Sequence, residues 1–402
     1  MTNSTKHPVK NEPIFKKFCS KKEIQDRTIR NYVNSLQKYS DFTGMTLQEL
    51  IDEAGEEEEQ RVRMINRKIS EYLDDFNEDL KNSKPHERIK NQKTINPTYV
   101  KRIITQVRTF YKDNGIELPP TMRKGRRSDK KPETKDDLPT IQEISFFIDN
   151  CNITYKAIVV LGLSSGMSRA EIASLKFKHL YDGIGLEKYP KTLNEVIEAL
   201  NNRKIEIPKW DIVRIKTNQP YFTFSSPESI DKIIDYLELL STKHPDYTPK
   251  PEDTLLRTIK GNKPVTDNAM SSMFNRKSQA LEIRRINRRS VIRPHTLRKY
   301  FATTLESNKI PHLVTRRLMG HTIDNTTSAY FRPDPETMKE YYIDAIDQLT
   351  TNKVQIKVID RYEDVTKRMK DLENEIRIKD QIDGEKITNS LREKYKRNSE
   401  NE

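Results

Sequence analysis

The chain has two cysteines in 402 residues, Cys19 and Cys151, far apart and in no Cys-x-x-Cys spacing. That excludes a disulfide framework and a cysteine-built metal knuckle, and it points to a reducing intracellular compartment. Glycine is scarce, at 11 residues, too few for the many tight corners of a large β-sandwich or barrel. Long apolar runs are missing. The longest, around Ala157–Leu163, falls far short of the ~20 residues a bilayer helix needs, so no membrane partner is expected. The opening Met1-Thr-Asn-Ser-Thr-Lys-His-Pro8 is polar and has no apolar stretch of a secretory signal.

Charge is abundant. Lys and Arg number 73 against 60 Asp and Glu, a net charge of +13, and 33% of residues are charged against 34% hydrophobic. At 100–200 residues per domain the length suggests two or three domains, their cores shared among small, mostly helical units. The excess is local. From Arg257 to Arg317, fifteen Lys or Arg stand against Asp267, Glu282 and Glu306, a net +12 in 61 residues. A one-signed block repels itself unless an anion relieves it, and a nucleic-acid backbone is the obvious anion. A weaker cluster, Pro119–Leu138, holds seven basic and four acidic residues with no apolar periodicity, which reads as an extended linker.

Periodicity gives the organisation. Before the linker, apolar residues recur at helical spacing from Ile24 to Tyr39, in Met64–Phe76 and in Tyr99–Tyr111, with Thr46 and Glu49 as a capping box. Four or so short helices are expected from about residue 20, with Glu56–Glu59 as a solvated loop. After the linker, Thr140 and Glu143 cap a helix start, a buried helix follows from Tyr155, and Lys204–Phe224 changes to strand spacing around a turn at Asn218-Gln219-Pro220. Helices resume at Ser229–Leu240 and Thr266–Ile283. Beyond Leu349, the 4-3-4 spacing of Val358, Tyr362, Val365, Met369, Leu372 and Ile376 suits a coiled-coil seam or a helix lying on its own domain. The expected architecture is mainly α with a small β-sheet: a flexible N-terminus (1–19), a helical domain (20–118), a basic linker (119–138), an α+β domain (139–350) and a charged helical tail (351–402).

The densest signal runs from Pro294 to Tyr330. Proline in the first turn starts a helix whose Leu297, Phe301 and Leu305 face inward, and His295 and Arg298, three apart, share a face near its N-terminus. A phosphate there meets an imidazole, a guanidinium fork and the positive end of the helix dipole. Gly320, at the end of a second helix, can turn the chain in the left-handed conformation and expose His321. Tyr330 follows nine residues on.

This order and spacing resembles the tyrosine recombinase family of phage-type and archaeal-like integrases, whose signature runs His-x-x-Arg, then Gly-His, then a nucleophilic tyrosine nine residues later. The resemblance spans about residues 20–345. It implies a core-binding domain at 20–118, which clamps DNA together with the linker, and a catalytic domain at 139–350. It assigns His295, Arg298, His321 and Tyr330 to the site, and makes Gly166-Met-Ser-Arg-Ala-Glu171 the box of the first arginine. The family's arginine follows glycine by two positions, which is Ser168 here. Arg169 comes one later and is taken as the functional arginine, although Ser168 and Glu171 also form a capping box with Arg169 as a plain first-turn residue. The family's hairpin lysine falls on Lys216, with Lys209 as the alternative.

What the resemblance implies is site-specific strand exchange on double-stranded DNA, by a homo-tetramer, without metal or other cofactor, in the cytoplasm with the nucleoid. Arg169 and Arg298 neutralise the phosphate, Tyr330 attacks to form a 3′-phosphotyrosyl link, His295 acts as base, Lys216 protonates the leaving 5′-oxygen, and His321 hydrogen-bonds the phosphate. The segment after the nucleophile packs on a neighbouring protomer in relatives. Further DNA contacts are expected from Arg123, Lys124, Arg126 and Arg127 of the linker and from Arg284, Arg285, Arg288, Arg289 and Arg293. The rival readings are a type IB topoisomerase and a non-catalytic DNA-binding protein on a decayed recombinase scaffold.

Overall fold

The computed structural model describes residues 8–22, 24, 26–83, 96–120, 134–202, 206–286, 289–324 and 334–351. The chain divides into two compact units, Met1–Lys130 and Lys131–Glu402. No helix among the described residues is long and apolar enough to cross a membrane.

Among the described residues, the first unit has five α-helices: α1 (Pro13–Lys21), α2 (Asp26–Thr43), α3 (Leu47–Glu59), α4 (Lys68–Asn82) and α5 (Pro97–Asp113). Their apolar stripes meet in one core that includes Leu36, Tyr39, Leu50, Leu73, Phe76, Val107 and Phe110. The Thr46–Glu49 capping box forms at the start of α3. Two expectations need correction. The segment expected to be a flexible N-terminus contains α1, because Val9, Phe15 and Phe18 are buried in this core; Phe15 and Phe18 are three apart and so share a helix face. The acidic run Glu56–Glu59 is the last turn of α3 rather than a loop. Its carboxylates have partners: Glu57 accepts from the backbone N–H of Lys68 at the start of α4, and Glu58 accepts from Arg67 and from the backbone of Glu117.

The second unit is built around α7 (Ile153–Ser165), whose residues from Ala157 to Ser165 are all buried. The apolar run too short for a membrane is therefore a core helix. Around it lie α6 (Ile141–Asp149), α8 (Arg169–Ser174), α9 (Phe177–Gly183), α10 (Leu193–Asn201), α11 (Pro227–Lys243), α12 (Asp267–Ala280), α13 (Pro294–Ser307), α14 (His312–Leu318) and α15 (Pro335–Ala345). Strands β1 (Lys209–Arg214) and β2 (Gln219–Phe224) form an antiparallel hairpin, with Lys209 opposite Phe224 and Arg214 opposite Gln219. The turn is Ile215–Asn218, so Gln219 and Pro220, expected in the turn, belong to the strand; Asn218 takes the positive φ of 52°. A two-residue hairpin, β3 (Arg285–Ile286) and β4 (Arg289–Ser290), lies inside the basic block.

Helix α15 packs on its own unit. Met338, Tyr342, Ala345, Ile346 and Leu349 join Phe224, Phe301, Leu305, Val314 and Leu318 in a second hydrophobic cluster. The Tyr342 hydroxyl donates to the Ser164 carbonyl at 2.8 Å. The heptad-spaced tail lies outside the described residues.

Candidate active site

The site begins with three turns that must be sharp. Helix α7 ends at Gly166, left-handed at φ 64°, where a side chain would run into the Phe301 ring. Ser168 then caps α8, its backbone N–H donating to Glu171 Oε2 at 2.6 Å. Helix α13 starts with Pro294 in its first turn, and buried Thr296 holds the approach by donating to the Val291 carbonyl. Helix α14 ends in a Schellman turn: Gly320 N–H bonds the Arg317 carbonyl, His321 N–H the Arg316 carbonyl, and Gly320 has φ 61°. A Cβ on Gly320 would come within 2.6 Å of the Tyr221 ring.

These turns converge on Arg298, which is 6% exposed. One guanidinium nitrogen donates to the Gly166 carbonyl at 2.6 Å and the other to the Met319 carbonyl. Glu171, 3% exposed, is its counter-charge at 3.5 Å. The same carboxylate oxygen accepts the Tyr221 hydroxyl at 2.9 Å. Burial first, then the adjacent carboxylate, pushes the Tyr221 phenol well above its ordinary range.

His321 follows Met319 and Gly320 and is half-buried. Burial, and then Arg298, Arg214 and Arg316, bring its pKa down to about 4, against the opposing pull of Glu171. It is therefore neutral at physiological pH. His295 is exposed on α13. With Arg298, Ser168, Arg169, Ser271, Asn275 and Arg293 it lines one cleft of about 400 Å³. Arg169 sits on the α8 side of that cleft, 3.6 Å from Asp267 of α12.

Lys216 is exposed in the β1–β2 turn. Lys209, the alternative, pairs with Asp211 at 2.9 Å. Tyr330 lies outside the described residues, as do Arg288 of the basic block and Arg123, Lys124, Arg126 and Arg127 of the linker. Arg285 and Arg289 are exposed on the β3–β4 hairpin, and Arg293 is half-buried in the cleft wall. Arg284 makes intramolecular bonds to Glu143 and to the carbonyls of Asp136 and Leu138, at 2.8–3.0 Å.

Arg214 has no place in the sequence signature. Its guanidinium donates to the Met319 carbonyl at 2.6 Å, the same oxygen that Arg298 bonds. The signal was present: Trp210 and Ile212 are buried, Val213 is exposed, and a period of two puts Arg214 on the inward face. Glu171 and Tyr221, which hold Arg298, are marked in the sequence only as a cap and as part of a strand.

Among the described residues, no group of three or more His, Cys, Asp or Glu is placed to hold a metal ion.

Comparison with known proteins places these features in context. Among solved structures, the chain is similar to the XerA recombinase, with 15% identity, 82% of this chain and 96% of that chain covered, and a TM-score of 0.33. It is similar to a lambda integrase dimer bound to a COC′ core site, with 14% identity, coverage of 79% and 74%, and a TM-score of 0.47. The integrase from mycobacterium phage Brujita is another such structure, at 14% identity, 87% and 96% coverage and a TM-score of 0.35. No curated protein matches the chain. The phage integrase family profile matches residues 134–337. That span holds the α7–α8 turn, the β1–β2 hairpin, His295, Arg298, the Gly320-His321 turn and Tyr330, and on it the chain belongs to the phage integrase family.

Proposed function

We propose that this chain, a site-specific tyrosine recombinase by family, cuts and rejoins duplex DNA through a 3′-phosphotyrosyl link to Tyr330, with Arg298, His295, His321 and Lys216 as its partners. The observation that carries the residue assignment is the anchoring of Arg298: a buried guanidinium held by two carbonyls and one carboxylate, opening on a cleft that His295 shares.

The chemistry follows from the charge. A phosphodiester repels nucleophiles, so catalysis requires cations on its non-bridging oxygens as the transition state forms. Arg298 is one. A second guanidinium is needed, and two are at hand: Arg169 lines the cleft, and Arg214 shares a carbonyl with Arg298. The Tyr330 oxygen attacks phosphorus while His295 takes its proton. The bond from phosphorus to the 5′-oxygen breaks, and Lys216 supplies the proton to that oxygen. The phosphotyrosyl bond conserves the energy of the broken one, so a 5′-hydroxyl from another strand can reverse the step. Neutral His321 hydrogen-bonds the phosphate without adding charge. Exposed Arg285 and Arg289 contact the DNA backbone, and four protomers assemble for strand exchange in the cytoplasm.

The test is covalent capture on a duplex library of random sequence, followed by denaturing wash and sequencing of the DNA retained. Wild type yields an enriched site; Tyr330→Phe yields none. Equal retention by Tyr330→Phe would overturn the assignment.

A further inference from the structure

Two guanidiniums meet on one carbonyl. Arg298 comes from the first turns of α13 and Arg214 from the last residue of β1, and both donate to the oxygen of Met319, directly before the Gly320-His321 turn. Among the described residues, two full positive charges here face one neighbouring carboxylate, Glu171. That carboxylate is already shared among the Ser168 backbone, the Tyr221 hydroxyl and Arg298. The Arg214 guanidinium is held below its ordinary range, by burial first and by Arg298 second. Like charges packed with one counter-charge are relieved by a bound anion.

Arg169 is placed differently. Its charge is answered by a carboxylate from another helix, Asp267. The position that the family's pattern gives to arginine is Ser168, whose side chain caps α8. The site therefore lacks a guanidinium at that position and holds an additional one nearby, delivered from the hairpin.

We propose that Arg214 is a catalytic residue, the second guanidinium that binds the scissile phosphate beside Arg298 and so takes the part that position 168 plays in the family. A guanidinium has five N–H donors, and the Met319 carbonyl takes one. Arg214 transfers no proton; it acts by charge and hydrogen bonding on a non-bridging oxygen. It also ties phosphate binding to proton donation, because Lys216 lies two residues further along the same hairpin.

The proposal rests on the phosphotyrosyl reading, and the experiment separates the two. The substrate is a duplex carrying the site recovered by the wild-type chain, nicked beside the scissile phosphate so that adduct accumulates. In single turnover, Arg214→Ala is expected to form adduct about 10²–10³-fold more slowly than wild type, with DNA retention in a gel-shift assay within a few-fold of wild type. A methylphosphonate at the scissile position removes the negative charge that Arg214 answers. On that substrate Arg214→Ala is expected to come within about tenfold of wild type by the same charge argument, while Arg169→Ala gains nothing. Should Arg214→Ala fail to fold, Arg214→Gln keeps an N–H donor for the Met319 carbonyl without the charge and is read the same way: slower on phosphate, restored on methylphosphonate. Wild-type rates in the variant, equal slowing on both substrates, or rescue of Arg169→Ala instead would overturn the proposal and leave Tyr330 chemistry standing. No adduct from the wild-type chain would overturn both.

Discussion

His321 shows how a single residue reports the charge around it. Among the described residues, the charged groups that act on it are Arg298 of α13, Arg214 of β1, Arg316 of α14 and Glu171 of α8. Burial and three cations bring its pKa to about 4, below the 6.5 of a free imidazole. The unfolded chain therefore binds a proton between those values that the folded chain refuses. Stability from this group is complete above pH 6.5, falls as the pH drops toward 4, and changes no further below that. After allowance for solvent screening, the loss from pH 7 to pH 5 is about 1 kcal/mol. Urea titrations at the two pH values should show this loss in wild type and its disappearance in His321→Asn. An unchanged difference between them would contradict the assigned environment.

At the scale of elements, helix α15 is a strap across its own unit. Tyr342 is fully buried, its ring tilted against those of Phe224 and Phe301, and bonded to the end of α7. Tyr342→Ala removes a large core side chain and is expected to cost about 3–5 kcal/mol, and Tyr342→Phe about 1 kcal/mol, both read from the urea midpoint. Equal midpoints for all three proteins would mean that α15 is not docked. The same burial argues against Tyr342 as a rival nucleophile, since its hydroxyl points at a carbonyl inside the core. Much of this level was legible: the capping pairs Thr46–Glu49, Thr140–Glu143 and Ser168–Glu171 are local, and all three form. The partnership of Arg214 with Arg298 was not, because it joins residues 84 apart through a carbonyl at Met319 that no spacing marks. Helix α1 escaped for another reason: Pro8 and Pro13 interrupt its approach, and the apolar signal rests on few residues.

For the whole molecule, the charge and the cores are distributed separately. Among the described residues, the first unit has one hydrophobic core of its own, and the second has two clusters, one around α7 and one joining α13, α14 and α15. Fragments 1–130 and 131–402 should each melt cooperatively, as followed by circular dichroism; a fragment without a transition would show that the units depend on each other. The net +12 of the block from Arg257 to Arg317 also changes meaning once located. Arg284 is exposed but tied to Glu143 and to backbone carbonyls of its own unit, Arg298 lies buried at the site, and Arg285 and Arg289 are exposed on β3 and β4. One block thus supplies a structural tie, the phosphate ligand proposed above and an outer basic face.

The central claim is a covalent bond from Tyr330 to DNA. Its most direct test is mass spectrometry of the captured complex after nuclease and trypsin digestion. A nucleotide mass on Tyr330, in the peptide running from Leu318 to Lys339, is the predicted result. A nucleotide on another tyrosine, or captured DNA with no modified peptide, would contradict the account.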